Sequence, residues 1–328
     1  MFNKLIAAAL AVIVVTAAPA AARDMLRERI AERRAGSLGK DRLARPGDYE
    51  FLLSHDGLNR RYLVHVPASY DAAARNAVVI GLHGSGGHAE HFARDENSGV
   101  VSASEKYGFI AVMPNGYSDN RRGRFATWNA GACCGDARDR KIDDVGFITA
   151  VITRVKRQAV IDDARVYAMG MSNGAMMAYR LACERPDLVR GVMGVAGTDN
   201  TLACNPSRPT PVLHVHALND THVLFNGGAG DDAFRDPAKV TEFTSVPATI
   251  DKWVALNNAE RAPRRVVTVD GARCDRYDAK PGGAPVQLCV TESGGHSWPG
   301  AKNGRKGKEP PSQAINANDV MWAFFSAP

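Results

Sequence analysis

Ser172 stands in Gly170-Met171-Ser172-Asn173-Gly174, with an apolar run at 166–169 before it and a helical pattern at 176–181 after it. A strand that turns sharply at a serine and leaves as a helix exposes the hydroxyl on a crowded backbone, which is why glycines flank it two residues to either side. Serine is a weak nucleophile until a base takes its proton, so this chemistry, acyl transfer, also needs a histidine in reach and an acid to orient it. Of nine histidines, His296 fits: it lies in Gly294-Gly295-His296-Ser297-Trp298-Pro299-Gly300, a turn just after the last expected strand. Asp220 is the preferred acid, because it follows the strand pattern at 212–216 and falls between Ser172 and His296, the chain order expected of such an elbow. Asp199, after the run at 192–195, is the competitor and could equally cap a turn.

Attack on an acyl group produces a negative oxygen, which needs fixed N–H donors. Asn173, at the start of the new helix, supplies one amide. The other is expected from the glycine-rich turn His83-Gly84-Ser85-Gly86-Gly87, through Ser85. A phosphate loop is the rival reading of that turn, and the Gly-x-x-x-x-Gly-Lys-Ser/Thr pattern it requires is absent. His214 and His216 alternate along a strand, and His88 and His91 lie one helical turn apart. Neither pair has a convincing third ligand, an HExxH pattern or a CxxC partner, so no metal site is expected. The chemistry calls for no cofactor.

The elements that would position these groups alternate. Residues 49–54 and 61–66 read as a hairpin across Asp56-Gly57. The run at 77–82 is apolar throughout, as in a strand buried on both faces. Strands follow at 109–113, 165–169, 192–195, 212–215, 265–269 and 286–290, with helices at 102–107, 145–157, 249–256 and 317–325. Repeated strand-then-helix order predicts an α/β fold: a mainly parallel sheet with helices on both faces and an antiparallel hairpin at its N-terminal end. Two stretches without periodicity, 117–144 and 226–246, are candidates to lie over a site.

The chain has 328 residues, 45% of them hydrophobic and 23% charged, and a formal net charge of +6. Residues 1–22 read as a signal peptide: Lys4, then an apolar stretch at 5–15, then small residues at 18–22. Its removal lowers the charge by one unit, and the expected destination is the periplasm or the exterior. A basic arm and linker, 23–46, would precede a single catalytic domain at 47–328. Mild charge and the absence of nucleic-acid motifs argue against nucleic-acid binding, and no stretch supports stable membrane insertion. Six cysteines in an exported chain suggest disulfides. Cys274 and Cys289 flank a turn at 281–283, and Cys183 and Cys204 are a second candidate pair. Cys133 and Cys134 are either a vicinal bridge or two thiols. Nothing in the pattern specifies an oligomeric state.

Taken together, Leu82 to Gly87, the segment Trp128-Asn129-Ala130-Gly131-Ala132-Cys133-Cys134-Gly135, Asp143 to Phe147, the elbow, His216 to Asp220 with Asn226-Gly227-Gly228, and Gly295 to Gly300 carry a resemblance. The chain resembles the polyhydroxybutyrate depolymerase and feruloyl esterase family of secreted α/β-hydrolases, related to family-one carbohydrate esterases. The resemblance spans roughly 47–326 and implies Ser172, Asp220 and His296 as nucleophile, acid and base, in agreement with the reading of the residues. It also implies that Trp128 and Trp298 are walls of the acyl or alcohol pocket, against the alternative of buried structural aromatics. Asp143 and Asp144 read as a helix N-cap. The chain departs from the family pattern at Ala217, Leu224 and Phe225, near the acid. The implied activity is ester hydrolysis on small or polymeric esters, hydroxyalkanoate oligoesters or polyesters first and feruloyl or acetyl-xylan esters as the alternative. A serine peptidase and a non-catalytic binding protein on the same fold are the remaining readings.

Overall fold

The computed structural model describes residues 42–120, 122–231, 233, 241–304 and 307–327. The expected signal peptide and residues 23–41 of the basic arm lie outside the described residues. β1 (Gly47–His55) and β2 (Leu58–Val66) pair antiparallel from Gly47↔Val66 to His55↔Leu58. Asp56 and Gly57 turn the chain with φ of 49° and 72°, the positive values that a tight hairpin turn matching strand twist requires. One face of β1 is solvated, as its alternating burial shows. By contrast β3 (Asn76–Leu82), β4 (Phe109–Pro114), β6 (Gly191–Val195) and β7 (Val212–Ala217) are buried along their whole lengths, as their continuous apolar runs predict.

With β5 (Ile161–Met171), β8 (Arg264–Val269), β9 (Ala272–Tyr277) and β10 (Val286–Thr291), these form one ten-stranded sheet in the order β1-β2-β4-β3-β5-β6-β7-β10-β9-β8. The six strands from β4 to β10 run parallel. An antiparallel pair closes each edge, β1 and β2 at one end and β9 and β8 at the other. The sequence pattern does not predict β9, because Ala-Arg-Cys-Asp-Arg-Tyr is half charged and lacks an apolar run.

The helices are α1 (Ala89–Ala93), α2 (Val100–Tyr107), α3 (Gly135–Asp139), α4 (Asp144–Gln158), α5 (Asn173–Glu184), α6 (Val246–Leu256) and α7 (Ala317–Phe325). Two cores flank the sheet, and β3 feeds both, since successive side chains of a strand point to opposite faces. Val78, Ile80 and Leu82 join a core with Ile152 of α4, Met177 of α5 and Trp253 of α6. Ala77 and Val79 join the opposite core with Phe92 of α1, Val100 of α2 and Met321 of α7. Cys274 and Cys289 sit opposite each other on β9 and β10 and are bonded, with Cα atoms 4.0 Å apart. Cys183 and Cys204 are bonded with Cα atoms 5.0 Å apart. Cys133 and Cys134 are paired with each other.

Candidate active site

Ser172 is the residue between β5 and α5. Its φ of 55° with ψ of −121° is a backbone conformation that costs a non-glycine residue about 1–3 kcal/mol and persists only where neighbours over-determine it. Here they do. The Ser172 amide donates to the Val195 carbonyl at 2.8 Å, and its carbonyl accepts from Met176 N at 3.1 Å. A Cβ at Gly170 would overlap the Gly174 backbone, and one at Gly174 would overlap the Leu82 carbonyl. The glycine spacing in the sequence is therefore a packing requirement of β3 against the start of α5.

His296 follows β10 and Asp220 follows β7, which are neighbouring parallel strands. Their carboxyl ends bring the two side chains together: His296 Nδ1 donates to Asp220 Oδ2 at 2.9 Å, and Asp220 is fully buried while His296 is nearly so. Asp220 Oδ1 accepts from the amides of His222 at 2.8 Å and Val223 at 3.0 Å. Burial pushes the Asp220 carboxyl up, but the charge of His296 and hydrogen bonds from His216 and His296 outweigh it and hold the group well below the usual carboxylate range. Asp199 is committed elsewhere. It accepts from Thr201 N at 2.9 Å and Trp253 Nε1 at 3.0 Å, and pairs with Lys252 at 2.8 Å.

The glycine-rich turn lies against the elbow: a Cβ on Gly84 would stand 3.4 Å from Ser172 Cβ. Its shape is fixed from behind. His83 Nε2 accepts from Gly116 N at 2.9 Å, so Nδ1 carries the proton and donates to the Gly84 carbonyl at 2.8 Å. Burial lowers His83 to about 4, which keeps the ring neutral. Trp128 is fully buried, and its indole N–H donates to the His83 carbonyl at 2.9 Å. The Asn173 side chain clasps the Trp128 backbone, accepting from its amide at 2.7 Å and donating to its carbonyl at 3.0 Å. Trp128 thus stands behind the turn as a strut, whereas Trp298 lines the cavity in front of Ser172, edge-on to Phe92 at 5.5 Å.

Asp143 caps α4, accepting from Gly146 N at 2.9 Å. Asp144 does not share that role. It is fully buried and accepts from Arg60 Nη2 at 2.7 Å and Asn129 N at 2.8 Å, tying the residue after Trp128 to strand β2. The Arg60 guanidinium also lies 4.0 Å over the Phe147 ring.

A cavity of about 650 Å³ opens in front of Ser172, lined by the glycine-rich turn, His296, Trp298, His88, His91 and Phe125 among others. A second, of about 150 Å³, meets Ser172 from the side of Cys134, Met176 and Phe243. Ser85 and His222 line both. Two groups escape sequence reasoning. His222 stacks on His296 with ring centroids 4.4 Å apart, and Phe125 is 74% exposed at the cavity rim with φ of 59°. Phe125 lies in the irregular stretch 117–144, and His222 lies between the strand expected at 212–215 and the irregular stretch 226–246. His88 and His91 also border the cavity. Among the described residues, one group, Cys183, Asp199 and Cys204, gathers three metal-type donors. Its two sulfurs are joined in a disulfide, which leaves no thiolate to ligate.

The family model described as Esterase PHB depolymerase matches residues 61–204. NocK of Nocardia uniformis subsp. tsuyamanensis is 30% identical over 258 residues, covering 74% of this chain and 72% of that protein. Feruloyl esterase B of Piromyces equi is 27% identical over 253 residues, 75% of this chain and 44% of that longer protein, so the chain spans less than half of it. Among solved structures, an acetyl xylan esterase from Aspergillus awamori superposes with a TM-score of 0.57 at 15% identity, covering 84% of this chain and 98% of that one. That likeness establishes the α/β-hydrolase architecture of the sheet and its helices.

Proposed function

The chain belongs to the Esterase PHB depolymerase family, and from that premise we propose that it is a serine carboxylic-ester hydrolase working through an acyl-enzyme. The observation that carries the reading is the buried Asp220–His296 pair opening on the cavity that Ser172 shares. Ser172 Oγ attacks the ester carbonyl while His296 Nε2 takes its proton and passes it to the departing alcohol. Asp220 stays ionised and holds His296 with its proton on Nδ1. The amides of Ser85 and Asn173 receive the oxyanion. Water, deprotonated by the same imidazole, then releases the acid. Every group used belongs to the chain itself, and the reading calls for no cofactor.

An ester has two arms, and two cavities of unequal size meet at Ser172. The smaller is walled by Cys134, Met176 and Phe243 and suits a short, largely apolar unit. We read the substrate as a hydroxyalkanoate oligoester or polyester. Feruloyl or acetyl esters of plant polysaccharides are the second reading, favoured by the names of the relative from Piromyces equi and the structural neighbour from Aspergillus awamori. Export to the periplasm or exterior is part of the proposal. Among the described residues, no helix is long and apolar enough to cross a membrane.

The test is turnover of p-nitrophenyl butyrate by purified protein and by Ser172→Ala, with fluorophosphonate labelling of both. Loss of turnover and labelling in the variant is expected, and unchanged turnover overturns the reading. Side-by-side rates on hydroxybutyrate oligomers, methyl ferulate, acetylated xylan and an amide-linked chromophore rank the ester classes and weigh the peptidase alternative.

A further inference from the structure

Three ring groups that the chemistry above does not use form a buried file behind Asp220. Tyr179 on α5 and His214 and His216 on β7 are buried at 0%, 0% and 1% exposure. Alternation along β7 puts both histidines on one face, and their rings stack with centroids 5.2 Å apart. The contacts run head to tail. Tyr179 Oη lies 2.6 Å from His214 Nδ1, and His214 Nε2 lies 3.1 Å from His216 Nδ1. His216 Nε2 lies 2.8 Å from the Val223 carbonyl oxygen and 3.3 Å from Asp220 Oδ2.

The protons follow by elimination. A carbonyl can only accept, so His216 carries hydrogen on Nε2, and in a neutral ring its Nδ1 accepts. His214 therefore donates from Nε2 and accepts at Nδ1, which requires the Tyr179 hydroxyl to donate. Burial acts in the same sense: it holds His214 well below its ordinary range and Tyr179 well above, so neither carries charge. Every link then points one way, toward the carboxylate.

The geometry points to Tyr179, His214 and His216 as a positioning relay: a one-way chain of donors ending on the Asp220 oxygen that receives His296. This inference rests on the triad proposed above. Backbone amides fix one Asp220 oxygen, and the relay adds a second donor beside His296 on the other, which holds the carboxylate toward the imidazole. With the opposite tautomer, His216 would turn a lone pair toward both Val223 O and the carboxylate, leaving buried acceptors face to face. His214 matters because its N–H occupies His216 Nδ1 and bars that tautomer. The Tyr179 hydroxyl in turn satisfies the acceptor that His214 is left with.

The experiment uses the full chain and two readouts. Nitrogen-15 NMR of the histidine rings at neutral pH is expected to show Nε2–H tautomers for His214 and His216. An Nδ1–H tautomer at His216 overturns the relay whether or not the protein proves to be an esterase. In kinetics, His216→Leu is expected to lower kcat on p-nitrophenyl butyrate at least tenfold with KM within about threefold, the pattern of an interaction that matters in the transition state. His216→Gln, whose amide N–H can reach the same oxygen, is expected to recover most of the loss. Tyr179→Phe and His214→Leu should show intermediate losses of about threefold to fivefold. Folded His216→Leu, or folded His214→Leu together with Tyr179→Phe if the former does not fold, at wild-type kcat overturns the inference. A wild-type protein that hydrolyses no ester refutes the functional reading instead and leaves the NMR result to decide the relay.

Discussion

Replacing Asp220 by asparagine changes one atom and tests the proposed triad through its hydrogen-bond count. Four donors converge on this carboxylate: the amides of His222 and Val223 on Oδ1 at 2.8 and 3.0 Å, and His296 Nδ1 and His216 Nε2 on Oδ2 at 2.9 and 3.3 Å. A carboxylate accepts at both oxygens, whereas an amide has one accepting end and one donating end. The backbone amides cannot turn, so the asparagine oxygen must take their side and its NH2 must face His296. His296 can then keep its partner only by offering a lone pair at Nδ1. Its proton moves to Nε2, the atom that should receive the proton of Ser172. A tautomer swap of this kind in a serine triad lowers kcat roughly 10⁴-fold, about 5.5 kcal/mol of transition-state stabilisation at 1.36 kcal/mol per decade. The assay is kcat and KM on p-nitrophenyl butyrate at pH 7.5, with circular dichroism to verify the fold. KM should change by no more than about threefold. Asp199→Asn is the comparator, because that carboxylate serves Thr201, Lys252 and Trp253. It should hold kcat within about threefold while lowering stability. A loss of less than about tenfold for Asp220→Asn, or an equal loss for Asp199→Asn, refutes the reasoning.

The remaining predictions concern stability. His83 is buried and lowered to about 4, so between about pH 4 and 6.5 the unfolded chain binds a proton that the folded chain refuses, and stability rises with pH through that window. The contribution lost on acidification is about 3 kcal/mol. Urea midpoints at pH 7 and 4.5 should show a shallower drop for His83→Gln than for wild type, even though His214 adds a slope of the same sign. Asp144→Ala strands the Arg60 charge in the core and should cost about 3–5 kcal/mol by denaturant titration, far more than an Asp143→Ala cap loss of about 1 kcal/mol. Gly174→Ala forces a Cβ into the Leu82 carbonyl and should cost about 3 kcal/mol or more, read as a lowered thermal midpoint. Replacing Cys183 and Cys204 together by serine opens a crosslink between residues 21 apart and should cost about 3 kcal/mol.

Much of this was legible because the sheet writes itself plainly. The all-apolar run at β3 announces a strand buried on both faces, and residues 317–325 have the bounds expected of α7. The elbow was readable because its glycines answer a steric demand that no other residue meets. Elements whose burial is partial or whose length is short were not. β9 is paired on both edges but only partly buried, so it carries charged residues among its apolar ones, and α1 and α3, at five residues each, are too short to show a period. Spacing placed His214 and His216 on one face but could not reveal Tyr179 as their neighbour, since that contact joins α5 to β7. The family resemblance implied that Trp128 is a pocket wall, but its N–H is used by the His83 carbonyl, and only geometry separates wall from strut. Asp143 and Asp144 are adjacent and alike in sequence. Backbone direction alone makes one a cap and the other half of an ion pair.

The Arg60–Asp144 contact spans 84 positions of sequence and has a consequence for the order in which the molecule becomes competent. Asp144 holds Asn129, the preceding residue, Trp128, holds the His83 carbonyl, and Asn173 clasps Trp128, so the edge hairpin is mechanically upstream of the glycine-rich turn. A partly folded chain whose first hairpin is undocked leaves Arg60 unpaired and that turn unbraced. Nor can the proposed base, His296, reach Asp220 before β10 has been laid beside β7. The same contacts therefore couple the proposed triad and its turn to docking of the first hairpin and to the pairing of β10 with β7. A chain wired in this way holds no assembled triad of the proposed kind while it is unfolded.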